Sequence, residues 1–192
     1  YINNTFLAYI KIEDQNRNDI SRDGLNALKE TLIRRTSVSP KGVVGIDINK
    51  DPIFYYPFIY WPIEDKFLNI NEQAKIKIKN YFKSGGIVLF DILKFDRNTP
   101  LINSKSYLLI KNFLMNIGVE DLNYIKNNHT ISKSFYLLKK FPGRWDNKIL
   151  LVDNNDLNLK DGVNSIIIGF NDWAGAWALE NNKYPLFPVV PG

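Results

Sequence analysis

Apolar positions along this chain follow two rhythms, short unbroken runs and longer stretches at helical spacing, and the two alternate. Residues 6–12 form an apolar run rich in aromatic and β-branched side chains, which predicts a buried strand. A polar loop is expected over residues 13–19. Ser21 is expected to cap the first helix, with Ile20 and Leu25 as a hydrophobic staple. Leu25, Leu28, Leu32 and Ile33 share one face of that helix, which should end near Arg34 and Arg35.

Residues 43–46 predict a second strand and residues 53–61 a third, bent or ended at Pro57 because proline cannot donate to a central ladder. Asn71 should open the next helix, burying Ala74, Ile78, Tyr81 and Phe82, with Gly85-Gly86 stopping it. Residues 87–90 then read as the middle of a parallel sheet. A third helix carries Ile110, Phe113, Leu114 and Ile117 and closes at Gly118; residues 134–138, 149–152 and 165–169 are later strands. This alternation predicts one α/β domain over residues 1–192, three-layered around a mostly parallel sheet.

Composition narrows the chemistry. Hydrophobic content of 45% with 23% charged residues is that of a globular chain. The absence of cysteine excludes a disulfide framework, an iron–sulfur cluster, a thiolate zinc site and a cysteine nucleophile. The net charge of +5 invites nucleic acid as a partner, but the basic residues are dispersed: Arg34 and Arg35, then Lys75, Lys77 and Lys79, then Lys139 and Lys140. A solvated surface is the expectation and nucleic acid is not. The abundance of Asn, Ile and Lys fits the bias of an A+T-rich genome. No apolar stretch is long enough to span a bilayer and no signal peptide is visible. The chain starts at Tyr1 and ends after a Pro-Gly, so it is expected to be a piece of a longer protein. Membrane contact is expected only through segments outside it.

Candidate chemistry concentrates in the last third, where three of the four tryptophans stand beside an arginine and an aspartate on turn-rich sequence. Arg144, between Gly143 and Trp145, is either a guanidinium offered to a carboxylate, phosphate or sugar hydroxyl, or a cation–π brace for its loop. Asn171 and Asp172 follow the apolar run of residues 166–169, and ligands in open α/β sheets sit beyond the carboxyl ends of strands. Trp173 and Trp177 stand at i, i+4 spacing; packing is expected of Trp177, while Trp173 is open between packing and a sugar-stacking platform.

Asp91 leaves the central strand where it could bind a hydroxyl, or a hard cation together with Asp96 and Asp172, although no ligand spacing supports the cation. The acidic stretch 153–156 resembles a calcium loop only superficially and is expected to be a turn. His129, the single histidine, lacks an assignable nucleophile for a general base to serve. Gly85-Gly86 is a helix stop and not a phosphate loop. No metal and no cofactor are expected.

The order of Tyr60-Trp61-Pro62, residues 84–91, residues 134–138, Phe141-Pro142-Gly143-Arg144-Trp145, residues 169–177 and residues 184–188 resembles a bacterial family described as a domain of unknown function. Its members often form the C-terminal end of BatA-like proteins with paired transmembrane helices, and others are secreted. The family looks like the class I glutamine amidotransferase superfamily, flavodoxin-like in topology and nearest the ThuA-like branch. The resemblance implies a nucleophile elbow after residues 87–90, yet Asp91-Ile92-Leu93-Lys94 follows, with no cysteine, serine or glycine. Glutaminase chemistry is therefore absent.

The expectation is a non-catalytic ligand-binding or assembly module of a bacterial envelope protein. Its ligand-binding residues are Arg144, Trp145, Asn171, Asp172, Trp173 and Asp91, and its partner is an unidentified small molecule or envelope protein. By the ThuA-like resemblance, the alternative is a carbohydrate-active hydrolase or isomerase using His129 and Asp172 as acid and base. A third reading makes the aromatics pure architecture.

Overall fold

The computed structural model describes residues 5–64, 69–93, 100–119, 121–125, 141, 143–145, 147, 149–154, 164–180 and 184–189. Seven strands form one sheet in the order β2-β1-β3-β4-β7-β6-β5. They are β1 (Phe6–Ile10), β2 (Gly42–Ile46), β3 (Phe58–Ile63), β4 (Ile87–Ile92), β5 (Leu122–Tyr124), β6 (Leu151–Asp153) and β7 (Ile166–Gly169). The five strands from β2 to β7 in that order pair in parallel, while β6 and β5 extend the sheet antiparallel. A small separate hairpin joins β8 (Leu179–Glu180) to β9 (Tyr184–Pro185). The architecture is α/β with a mostly parallel sheet, and its strand order is compatible with a flavodoxin-like arrangement.

Alternation along the strands sorts the core into two halves. Ala8 and Ile10, then Ile59, Trp61 and Ile63, then Val88, Phe90 and Ile92, then Ile166 and Ile168 all point to one face. Helices α2 (Glu72–Lys83) and α3 (Lys105–Asn116) cover that face with Ala74, Ile78, Tyr81, Phe82, Ile110, Phe113 and Leu114. It is apolar throughout, with Trp61 stacked on Phe90 at 5.3 Å between ring centroids. The other face carries Leu7, Tyr9, Tyr60 and Leu89 under α1 (Gln15–Arg35) and the short α4 (Trp173–Trp177). Among the described residues no helix is long and apolar enough to cross a membrane.

Asn71 caps α2 by accepting from the Ala74 amide, the predicted face is buried, and Gly85 follows at φ 86° in the left-handed region that stops a helix. α1 departs from expectation. Its cap stands seven residues before Ser21, where the Asp14 side chain accepts from the Arg17 amide, and Ser21 lies buried inside the helix. The polar residues 15–19 join the helix because Asn18 is itself buried, exchanging hydrogen bonds of 2.9 and 2.8 Å with the backbone of Ile12. Ile20 and Leu25 are packing residues of the helix body, not a staple.

The third strand is also shifted. Residues 53–56 make a tight turn, with the Tyr56 amide donating to Ile53 O at 3.1 Å, and Pro57 stands ahead of β3. β5 has only one half-buried residue and lacks the apolar run that would have predicted it. The strand expected over residues 134–138 lies outside the described residues.

A buried carboxylate and a half-buried arginine at the carboxyl edge of the sheet

On the α1/α4 face Asp91 and Gly169 lie side by side near the ends of β4 and β7, and Tyr60 stands two residues back, in the middle of β3. Asp91 is opposite Gly169 in register and Tyr60 opposite Leu89. Asp91 is fully buried. The Tyr60 hydroxyl donates to its Oδ2 at 2.8 Å and the Trp173 amide to the same oxygen at 2.6 Å. The amides of Asn171 and Asp172 donate to Oδ1 at 3.3 and 3.1 Å. Successive N–H groups at a strand-to-helix turn make a concavity for an anion, and here the protein's own carboxylate fills it. Burial, and then the negative charge of Asp172, push Asp91 up to about 7, against the hydrogen bonds from Tyr60, Trp173 and Asp172 that favour its ionised form. Tyr60 is raised well above the ordinary phenol range by burial and then by the charge of Asp91.

The turn gripped by Asp91 is the one that α4 starts from. Asp172 adopts φ 49°, ψ 58°, the one non-glycine residue of positive φ among the described residues, and its Oδ1 accepts from the Gly175 amide. Aspartate tolerates this conformation better than most residues, at a cost of about 1 kcal/mol. Its other oxygen faces two guanidinium groups, Arg144 Nη1 at 3.0 Å and Arg17 Nη1 at 3.8 Å. Arg17, from the first turn of α1, also meets Glu64 at 3.4 Å beyond the end of β3. The Asp172 side chain is almost fully buried, whereas those of Arg144 and Arg17 keep 22% and 19% of their surface exposed.

Asn171 holds the segment that carries Arg144. Its amide nitrogen donates to the carbonyls of Phe141 and Asn147, and its own carbonyl accepts from the Trp145 amide at 3.2 Å. Phe141 and Asn147 pair across the base of this loop. The Arg144 guanidinium lies 4.6 Å from the Trp145 ring centroid and 4.0 Å from that of Phe187. The β8–β9 hairpin delivers Phe187 to this point, anchored by the Leu186 amide donating to Ala178 O at 2.8 Å.

The six residues expected to bind a ligand converge on this edge in two tiers. Asp91, Asn171 and Trp173 are buried, and their side chains build the turn and the loop. The stacking platform read for Trp173 is not formed. Its ring lies over Gly169, so closely that a Cβ there would sit 2.0 Å from the ring, and it packs with Leu7, Tyr9 and Leu89. The hard-cation reading of Asp91 is likewise displaced, since its oxygens already accept four hydrogen bonds. Among the described residues no three His, Cys, Asp or Glu side chains could hold a metal ion. Arg144 and the half-buried Trp145 form the solvent-facing tier above the Asp172 carboxylate. His129 and Asp96 lie outside the described residues.

A family model described as Domain of unknown function (DUF4159) matches residues 6–189, which takes in every residue of this edge. The chain belongs to that family. No curated protein matches it. Within the family match, reasoning from sequence had passed over Tyr60, Arg17 and Phe187 as site residues. Tyr60 was detectable as a hydroxyl-bearing ring in the middle of an otherwise apolar strand. Arg17 had no local signal, because only the fold brings α1 to Asp172.

Proposed function

We propose that the chain is a non-catalytic ligand-binding or assembly module of a bacterial cell-envelope protein, built on a flavodoxin-like scaffold of amidotransferase type. Its recognition face is Arg144 with Trp145. The observation that carries this reading is the state of Asp91. At the strand exit where that scaffold would place a nucleophile, the carboxylate is fully buried and accepts four hydrogen bonds. It supports the turn beneath Arg144 instead of facing a substrate. What reaches solvent is a planar guanidinium between two aromatic rings, suited to a carboxylate, phosphate or vicinal hydroxyl pair.

Thermal unfolding followed with citrate, inorganic phosphate and neutral monosaccharides tests the reading. A compound that binds only the folded state raises Tm with dose. One of the three classes is expected to do so for the native chain and not for Arg144→Ala. If none shifts Tm, or if Arg144→Ala responds as the native chain does, this face is not the binding site.

The second reading is a carbohydrate-active hydrolase or isomerase using Asp172 and His129. The left-handed backbone of Asp172 at a strand-to-helix turn favours it, because strain of this kind gathers at reactive positions. Turnover of chromogenic glycosides that disappears in Asp172→Asn is its signature. Equal turnover in native and variant protein excludes Asp172 as a catalytic residue.

A further inference from the structure

The opposite edge of the sheet gathers a second set of exposed side chains. β1, β2, β3, β4 and β7 run parallel, so all five start from one edge, the amino edge. The α1–β2 connection, the 53–57 turn ahead of β3 and the α2–β4 turn all lie there. They and the last turn of α1 carry Ile33 at 42% exposure, Val38 at 43%, Phe54 at 53% and Tyr55 at 75%. β2 and β3 flank β1, so their starts are two strand spacings apart, roughly 10 Å.

The frame beneath these side chains is hydrogen-bonded. The Tyr81 hydroxyl donates to Tyr56 O at 2.7 Å, the Ile87 amide to Pro57 O at 3.1 Å and the Lys41 amide to Thr5 O at 2.8 Å. The charged residues on these connections and on the last turns of α1 and α2 that enter them are basic and exposed: Arg34, Arg35, Lys41 and Lys83. Glu30, one turn back on α1, pairs with Lys29 at 3.1 Å.

We propose that this amino edge is a peripheral docking surface for an anionic lipid bilayer. Aliphatic and aromatic side chains protruding from fixed turns gain free energy by entering the headgroup region, and arginines and lysines around them meet anionic headgroups. Tyrosine suits that depth, with an apolar ring and a polar tip. Ile33 and Val38 decide against nucleic acid, since neither has a planar face to stack on a base. Docked this way, the sheet holds the Arg144–Asp172 edge away from the bilayer. The sequence led us to expect membrane contact only through segments outside this chain, because no apolar stretch in it is long enough to span a bilayer, and its basic residues look dispersed. Folding brings Arg34, Arg35, Lys41 and Lys83 to one edge.

Co-sedimentation with vesicles of phosphatidylcholine alone, and of phosphatidylcholine mixed with phosphatidylglycerol, tests this directly. The native chain is expected to pellet with the mixed vesicles and to stay in solution with phosphatidylcholine alone. Val38→Ser/Tyr55→Ser and Arg34→Glu/Arg35→Glu are each expected to bind the mixed vesicles at least about tenfold more weakly. Lys105→Glu/Lys111→Glu, which changes net charge equally on the exposed face of α3, is expected to stay within about twofold of native. Thermal unfolding confirms that each variant folds, and Tyr55→Ser alone carries the apolar test if the double variant does not. No pelleting with mixed vesicles overturns the proposal. So does equal weakening by the Lys105/Lys111 pair, or tighter binding to a DNA duplex than to the vesicles.

Discussion

The two ends of β7 use one device for different ends. At its start, Asp153 accepts from the amides of Ser165 and Ile166 at 3.4 and 3.1 Å, while Asn164 donates to the Asp153 carbonyl at 2.7 Å. At its finish, Asp91 accepts from three successive amides and from Tyr60. Both carboxylates are buried and both fix the strand by collecting backbone N–H groups. At the first end no described residue takes a positive φ. At the second it turns through the left-handed Asp172, which takes up Arg144 and Arg17. A buried carboxylate is therefore not evidence of a site by itself. What distinguishes the carboxyl edge is that its carboxylate supports a strained turn whose next partner is a half-exposed arginine.

The widest separation between the two ends should come from removing each carboxylate. Asp91→Ala leaves three buried amides and a phenol hydroxyl without their acceptor, at about 1 kcal/mol or more each, so a loss of about 4 kcal/mol is expected. Asp153→Ala removes the acceptor of two amides and should cost about 2 kcal/mol. Urea unfolding measures both. Equal losses would mean that the elaboration around Asp172 adds no demand on Asp91.

pH sharpens the same contrast. Folded Asp91 keeps its proton up to about 7, whereas an unfolded aspartate releases it near about 4. Between these values the folded state binds more protons than the unfolded chain, so this group's contribution to stability falls as pH rises. Asp91→Asn should flatten that part of the curve, by an amount on the order of a few kcal/mol across the window. A variant that still declines in parallel with the native chain would assign the dependence to another group.

Much of the first half was legible because its signals are local. Asn71, the spacing of Ala74, Ile78, Tyr81 and Phe82, and the Gly85-Gly86 stop define α2 within sixteen residues of chain. α1 was misread at its start because its first turns are polar, and their burial depends on Asn18 reaching back to Ile12. The carboxyl edge was legible as a neighbourhood, since Asn171, Asp172 and Arg144 sit in turn-rich sequence after apolar runs. Their roles were not. Whether Trp173 offers its face to a ligand or lies on Gly169 depends on how closely two elements approach. Sequence spacing does not contain that distance.

Asp172→Asn takes the comparison to its intermediate scale. The amide keeps the side-chain oxygen that caps Gly175, and asparagine also tolerates positive φ, so the turn should persist. The charge facing Arg144 and Arg17 is lost. Breaking a fully buried pair costs several kcal/mol, but solvent reaches both arginines, so about 1–2 kcal/mol is expected by chemical denaturation. A loss as large as that of Asp91→Ala would make the ion pair, and not the amide clamp, the main support of this edge.

The smallest stability effect is expected at Arg144 itself, and it separates brace from binder. Arg144→Lys keeps a positive charge near Asp172 but gives up the planar fork and most of the stacking between Trp145 and Phe187. The cost should be about 0.5–1 kcal/mol, within the range of partly exposed cation–π contacts. If the guanidinium is only a brace, ligand-induced shifts in Tm survive this change in proportion to the small loss of stability. If it receives the ligand, lysine cannot reproduce its bidentate donors, and the shift collapses while the fold stands. A native-like shift in Arg144→Lys would place recognition elsewhere on the carboxyl edge and leave Arg144 as the counter-ion of Asp172.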